Sequence, residues 1–551
     1  MLIHAKIFDY FRQRERGWIL SLIAAVCLLY LPFLDSRFFF DDLSFFYGTA
    51  LYGNAAEYFK DAPFSFDLRW LPYASLGRTW LWVGEAPHLY HLVNVLLHVS
   101  SVILLFVLLR QLLSAVLQDL DKALVSRAAW FAALLFAVHP AAVYAVGYVV
   151  QRSVLMATLF AVVMQYAYVR GLISGRKRWL VLAVVAYALA GFSREHSVLM
   201  PAVLMAMTVI LMAKIQVGWK PILLTLSAMA AIGVTLVLIS KGMIGSRGPV
   251  FEPMGANSLE QIKLDANEPL HLLSILTQAG LFFKYLFLWL LPNPAWMSVD
   301  MREPFVHSVS AWQGWAAALA FVAYGALGLW LLLRRGKTAL AGLALLYPWL
   351  LFSVEFTTTR VQEIFVLYRS YLWMPGMMLL VALLYIKWPG RRTIFALSFA
   401  AILLTAFAWN RLWIFADNYR LWNDAALLLS SDQVQGADRI LYNRGTAVSA
   451  NKQAGEAIAD LERSVALSPQ LAPLHYALAV EYFNATRYQE ALRELDLAIS
   501  IDPARADYYY AKGLTLKRLK KDDQAIIQMK KSCELKNIAA CMILGMSQQK
   551  K

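Results

Sequence analysis

Apolar runs close to the length of a membrane span recur up to residue 409, and they constrain the fold more than any motif in the chain. A span needs about 20 mainly apolar residues. Runs at 17–34, 91–109, 128–144, 154–169, 179–192, 197–213, 221–240, 312–333, 339–354, 372–386 and 393–409 meet or approach that length. In hydrocarbon a backbone must satisfy its own hydrogen bonds, so such runs are expected to be helices. Composition agrees: 60% of the 551 residues are hydrophobic and 16% are charged, too little charge to clothe a soluble domain of this size. The net charge of +15 does not point to nucleic acid, because the lysines and arginines stand in short clusters between apolar runs. That is the pattern by which loops orient spans.

Lys6, Arg12, Arg14 and Arg16 precede the first run and hold its start in the cytoplasm. The run is too long for a signal-peptide core, and no small-x-small cleavage site follows it. A further apolar stretch, 270–291, is assigned by charge. If it spans, RRGK at 334–337 and KWPGRR at 387–392 fall outside; if it only dips into the outer leaflet, they join GRKR at 175–178 and the Lys214/Lys220 loop on one side. The second arrangement is the consistent one. It leaves about eleven spans, with the N-terminus inside and the C-terminus outside.

Past Trp409 the sequence turns hydrophilic and repeats every 34 residues, the tetratricopeptide length. The repeats run 438–471, 472–505 and 506–539. Ala479, Tyr482, Ala491, Leu495, Ala498 and Pro503 mark the middle one; Gly445, Ala457 and Pro469 mark the first, and Gly513 and Ala525 the third. Small residues at these positions let paired helices approach closely, and each pair covers the next. The expected organisation is therefore all-α: a polytopic membrane domain over 1–411, a linker and first helix over 412–437, a three-repeat solenoid over 438–539 on the outer side, and a capping tail over 540–551. Cys27 is expected to pack within the first span. Cys533 and Cys541 fall outside the membrane, where disulfides persist. Their C-x7-C spacing resembles cysteine-rich Sel1-like helical repeats, in which such a pair clips two helices together, and a disulfide is expected here.

Ionisable side chains are costly at membrane depth. Here they gather at the ends this topology places outside. Asp41 and Asp42 lie in SRFFFDDLSFFY at 36–47, Arg69 in FDLRWLPYASLGRTW, and His139 in an HP pair, with Gln151 and Arg152 soon after. SREHS spans 193–197; Asp300, Arg302 and Glu303 form a further group, and Arg360, Glu363 and Arg369 another. A transporter would carry its polar groups at the midplane. An outer-leaflet set of acids and arginines suits a lipid phosphate, since guanidiniums hold phosphate bidentately and a carboxylate can take a proton from an incoming hydroxyl. Blander roles compete. Arg360 and Lys284 read as interface charges, and among His91, Asn94 and His98, which share one helix face, His98 reads as hydrogen-bonded to a neighbouring helix.

Several of these segments also carry a likeness. FFFDD, PHLYHLVNVLLHVSSVILLF at 87–106, FAVHPAAVYAVGYVVQRSVLMATLF at 136–160, SREHSVLMP at 193–201, LTQAGLFFKYLFLWLLPNPAWMSVD at 276–300 and LYRSYLWMPG at 367–376 occur in an order that resembles bacterial relatives of the transmembrane-and-tetratricopeptide, O-mannosyltransferase-like glycosyltransferases of the GT-C superfamily. The resemblance covers essentially the whole chain, repeats included. It implies a GT-C fold and an inverting enzyme of the bacterial inner membrane. That enzyme would move a sugar from a polyprenyl-phosphate donor to a hydroxyl of a periplasmic or surface protein, pilin being a natural acceptor, recruited by the repeats.

By the resemblance the catalytic base is Asp41 or Asp42, with Asp41 favoured. Arg152 matches the family's Gln-Arg pair and Glu195 its Lys-Glu pair, with Arg194 standing where Lys is usual. Arg69, His91, His139, Glu363 and Arg369 complete the expected donor-phosphate and substrate set. The superfamily includes enzymes with and without a divalent metal, and the sequence requires none. Two other readings compete: en bloc oligosaccharide transfer to protein or lipopolysaccharide, and a non-catalytic anchor that displays the repeats as a scaffold.

Overall fold

The computed structural model describes residues 2–47, 67–243, 268–361, 363–431, 434–449 and 454–545, and those residues contain helices and no strand. The chain divides into two units. Among the described residues the first comprises 2–47, 67–243, 268–299, 305–361 and 363–417, and the second 300–304, 418–431, 434–449 and 454–545. In the first unit the helices are α1 Leu2–Tyr30, α2 Asp41–Tyr47, α3 Trp70–Val83, α4 Pro87–Val116, α5 Lys122–Ala137, α6 Pro140–Val146, α7 Arg152–Ser174 and α8 Lys177–Ser193. They continue with α9 Met200–Leu211, α10 Trp219–Ser240, α11 Leu270–Leu290, α12 Trp312–Leu332, α13 Gly336–Phe352, α14 Met374–Lys387 and α15 Arg391–Phe415.

Among the described residues nine helical segments are long and apolar enough to cross a membrane, or ten if α5 and α6, bent by 62°, count as one. The bend falls where Pro140 opens α6, because proline has no N–H with which to continue the preceding helix. The sequence expectation of eleven differs at three runs. Leu270–Leu290, expected not to span, is one of the nine, and two expected spans are absent even from the ten. Those at 179–192 and 372–386 fold as α8 and α14, of 17 and 14 residues, shorter than the ~20 a span needs. Gly175 in the left-handed conformation closes α7 just before α8, and Pro389 and Gly390 follow α14.

The linkers sort to two ends of this unit. At one end the Gln216 amide donates to the Leu172 carbonyl at 2.8 Å, Lys214 reaches Gln118 at 2.6 Å, and Gly336 lies beside Leu117. The basic clusters at 175–178, 214 and 334–337 therefore share that end. α11 packs along a different linker. His271 at its start meets Thr359 at 3.1 Å; Ser274, Gln278, Tyr285 and Trp289 in turn bond Arg360, Ile364, Val366 and Ser370. A linker at the opposite end, 359–370, thus runs along the whole of α11.

α12 and α13 pack through small residues. Gly325 faces Trp349, Gly328 faces Leu346, and Gly342 lies against the backbone of Gly328 and Leu332. Close packing of this kind substitutes for the hydrophobic drive that apolar surroundings remove.

In the second unit α16 Asn418–Leu427 precedes three helix pairs: α17 Ala437–Ser449 with α18 Ala454–Leu467, α19 Ala472–Asn484 with α20 Tyr488–Ile501, and α21 Ala506–Arg518 with α22 Asp522–Glu534. A last short helix, α23 Ile538–Ile543, begins a further turn of the array. Gly445 meets Leu461 and Gly513 meets Met529 at the crossings inside pairs. Ala457, Ala491 and Ala525 are buried, as the repeat pattern requires. Cys533 and Cys541 are joined as a disulfide, with Cα atoms 4.8 Å apart, tying α22 to α23. The two units divide after Asp417, and α15 runs to Phe415. Residues 300–304 group with the repeats. Burial alone would raise the Asp300 pKa, but Arg302 at 2.6 Å and Arg439 at 2.9 Å hold it below the usual carboxylate range.

Replacing Gly342 by Ala should cost about 1–3 kcal/mol of unfolding free energy, measured by chemical or thermal unfolding in detergent. Gly17→Ala, where nothing lies within 4 Å of the added carbon, should stay within about 0.5 kcal/mol of the parent.

Candidate functional site

Asp41 and Asp42 open α2, where two carboxylates suit the positive end of a helix. They face different surroundings. Asp41 is half-buried; its amide donates to the Tyr148 hydroxyl at 2.9 Å, and that hydroxyl also interacts with the Asp41 carboxylate. Asp42 is fully buried. Its Oδ1 accepts from the Val150 amide at 2.8 Å, whereas Oδ2 has no hydrogen-bond partner. Burial pushes the Asp42 pKa up to about 7, against the pull of the backbone amides and of Arg152. Burial and the two carboxylates hold the Tyr148 phenol well above its usual pKa, so it remains a donor.

Beside this pair stands a cluster of charges built from several segments. Arg69 forms a two-point bond with Glu195, at 2.6 and 3.0 Å. His196 Nε2 bonds Glu355 at 2.9 Å, and Glu355 also pairs with Arg360 at 2.8 Å and Arg369 at 3.3 Å. Arg369 reaches Glu363 at 3.1 Å. Arg194 donates to Gln151 and Ser153 and lies over the Tyr368 ring, 5.2 Å from its centre. Tyr368 in turn approaches Tyr148, with ring centres 6.3 Å apart, which links the cluster to Asp41. Four guanidiniums thus meet three carboxylates, leaving positive charge in excess. Nε of Arg194 and Nε of Arg369, both in side chains more than nine-tenths buried, have no hydrogen-bond partner.

The cluster has a floor and a rim. Glu355, His196, Arg194 and Arg369 are buried, whereas the side chains of Arg69, Glu195, Arg360 and Glu363 are 21–32% exposed. Two non-glycine residues in the left-handed region, Phe40 and Arg69, flank it. Such backbone persists only where the surroundings over-determine it, and it concentrates at functional sites.

Of the expected set, Arg69, Arg194, Glu195, Glu363 and Arg369 come together, and Asp41 joins them through the two tyrosines. Three others stand apart. Arg152 is wholly enclosed and donates to Asn94, Ser75, Thr79 and the Tyr90 carbonyl, so its guanidinium has little left for a phosphate. His139 accepts from the Ala141 amide and donates to the Trp289 carbonyl, which engages both ring nitrogens in the helix frame. His91 bonds the Ser36 carbonyl at 3.0 Å and so holds the start of the FFFDD segment. His98 is bound at both nitrogens, to Tyr371 and to the Ala137 carbonyl. Asp300 and Arg302 belong to the second unit.

Sequence reasoning passed over Glu355, which ends an apolar run as its lone acid; that rarity is the available signal. Arg360, read as an interface charge, is part of the cluster. Tyr148 and Tyr368 carry no signal among 26 tyrosines. No group of three or more His, Cys, Asp or Glu among the described residues could hold a metal ion.

The tetratricopeptide repeat family matches residues 506–538. No curated protein matches the chain. Among solved structures, the crystal structure of MamA aligns at 20% identity and a TM-score of 0.20, over 28% of this chain and 82% of that one. The crystal structure of YrrB, described as a tetratricopeptide protein with an unusual peptide-binding site, aligns at 18% identity and a TM-score of 0.22, over 29% of this chain and 87% of that one.

Glu355→Ala should destabilise the protein by about 3–5 kcal/mol in equilibrium unfolding, because it strands buried cations. The pH dependence of stability reports on Asp42. Between its ordinary pKa of 3.8 and about 7 the folded state binds the extra proton, so stability falls as pH rises through that window. Asp42→Asn should flatten that slope, by a total on the order of a few kcal/mol, in unfolding curves taken across the window.

Proposed function

We propose that the chain is a polytopic GT-C-type glycosyltransferase of a bacterial inner membrane. In this reading the Asp41 end of the first unit and the repeats both face the periplasm. The observation that supports it is the juxtaposition of a half-buried carboxylate, Asp41, with a guanidinium-rich cluster at one end of a bundle of apolar helices. That pairing fits a hydroxyl acceptor arriving from water and an anionic leaving group arriving from lipid.

The donor is a polyprenyl-phosphate sugar. Asp41 takes the proton of an acceptor hydroxyl as its oxygen bonds the anomeric carbon. The bond from that carbon to the phosphate oxygen breaks, its electron pair leaves with the lipid phosphate, and the configuration inverts. Arg194 and Arg369 direct their unbound N–H groups to the departing charge, in a setting of low dielectric where such donors act strongly. Asp42, holding its proton close to neutrality, removes a like charge from beside Asp41 and lets it stay ionised. The repeats recruit a protein acceptor, consistent with the docking surfaces that helical arrays form.

Asp41→Asn should lower sugar transfer by about 10²–10⁴-fold, read as the intact mass of surface proteins and glycolipids from cells. Full glycan mass and level in Asp41→Asn would overturn the base assignment. A reporter fused after Lys551 should be active in the periplasm; activity in the cytoplasm would reverse the orientation.

A further inference from the structure

Arg152, Asn94 and Tyr148 take no part in the chemistry above, although all three are buried beside the two aspartates. They form a chain of bonds that ends on Asp41. Arg152 Nε donates to the Asn94 side-chain oxygen at 3.1 Å. The Asn94 side-chain nitrogen in turn donates to the Tyr148 and Val149 carbonyls, at 3.4 Å each. Side chains from α4 and α7 thus brace the short stretch between α6 and α7. The Tyr148 ring stacks on Phe39, with centres 5.0 Å apart, so the phenol reaches the start of α2 from a braced backbone.

There the hydroxyl meets both the backbone and the side chain of Asp41. It accepts from the Asp41 amide at 2.9 Å and bonds the Asp41 carboxylate, to which only a donor can bond. The first amide of a helix lacks an intrahelical partner, so the contact to the amide alone would be a cap. The bond to the carboxylate goes further, because it ties the side chain to the backbone that carries it and removes rotamer freedom. Asp42 is registered on the same stretch, through the Val150 amide at 2.8 Å. Tyr368 approaches from the linker after α13, with Arg194, Glu363 and Arg369 behind it.

We propose that Tyr148 is a positioning residue for the base Asp41, an inference that rests on the glycosyl-transfer reading. A general base works only within hydrogen-bond reach of the proton it takes, and a misplacement of about 1 Å can cost about 10²-fold. The phenol fixes where the carboxylate points. Its donation also favours the ionised carboxylate, the form that accepts a proton. It keeps its own hydrogen and touches no reacting atom. The enclosed Arg152 guanidinium then serves as the far end of the brace rather than as a phosphate ligand.

Tyr148→Phe keeps the ring stack and removes the hydroxyl; p-aminophenylalanine placed at 148 by nonsense suppression restores a donor. Each full chain is expressed in cells that lack the parent, and the glycan mass and level of surface proteins are read beside unfolding of the purified protein in detergent. Tyr148→Phe should lower transfer by about 10–10²-fold, and p-aminophenylalanine should recover most of the loss. The deficit of Tyr148→Phe should widen in mildly acidic medium, because a carboxylate without its donor is protonated at higher pH. Parent-level transfer in Tyr148→Phe overturns the proposal. So does a deficit that p-aminophenylalanine leaves unchanged in folded protein, or one of equal size in neutral and acidic medium. If Tyr148→Phe does not fold, p-aminophenylalanine, the weaker donor, carries the test: its own deficit should widen in acid, and a parent-like profile overturns the proposal. Asp41→Asn separates the two readings. Lost transfer there with parent-level transfer in Tyr148→Phe sinks the positioning role alone, whereas retained transfer in Asp41→Asn sinks the base assignment itself.

Discussion

Glu355 ties the first unit together. It is 1% exposed, and its two oxygens are shared among His196, Arg360 and Arg369. A carboxylate taken out of water costs several kcal/mol, and only close partners with further hydrogen bonds offset that. The partners come from the turn before α9 and from the linker after α13, so the ion pairs bind together segments distant in sequence. Glu363 and Tyr368 extend the tie, and the same linker lines α11 from end to end. Because the acid is buried with several cations, removing any one member leaves charge uncompensated.

The two aspartates show how one position in a helix yields two chemistries. Asp42 points inward to Val150, and burial stabilises its protonated form. Asp41, one residue earlier, faces Tyr148 and the exposed side. Neighbouring residues on a helix diverge by about 100°, so adjacent acids need not share an environment. Phe40, at φ 51°, sets the turn that starts this helix. Phe39 stacks on Tyr148 at 5.0 Å, and its surroundings hold that backbone in place.

The two units are held by different physics. The first relies on close approach of small residues and on charges confined to its ends. The second buries alternating aliphatic and small residues in successive helix pairs, with Arg444 bound twice to Asp460 and His475 to Glu494 inside the array. The disulfide closes the end of the array, where the last helix has no successor among the described residues to cover it.

Much of this was legible in the sequence because it depends on local periodicity. Runs of apolar residues specify helices wherever they fold, and the 34-residue period specifies the helix pairs, since both follow from which face each residue takes. The gathering of acids and arginines between the apolar runs was also legible, because it stands in the order of the residues themselves. What only the tertiary structure decided was which of those charges meet. Arg152 and His139 stand at span ends as Arg194 and Arg369 do, yet neighbouring helices saturate the first two and leave the latter with spare donors. Glu355 entered the centre of the cluster although it stood unremarked at the end of a run. Hydrogen-bond partners distant in sequence set these outcomes, and no local pattern encodes them.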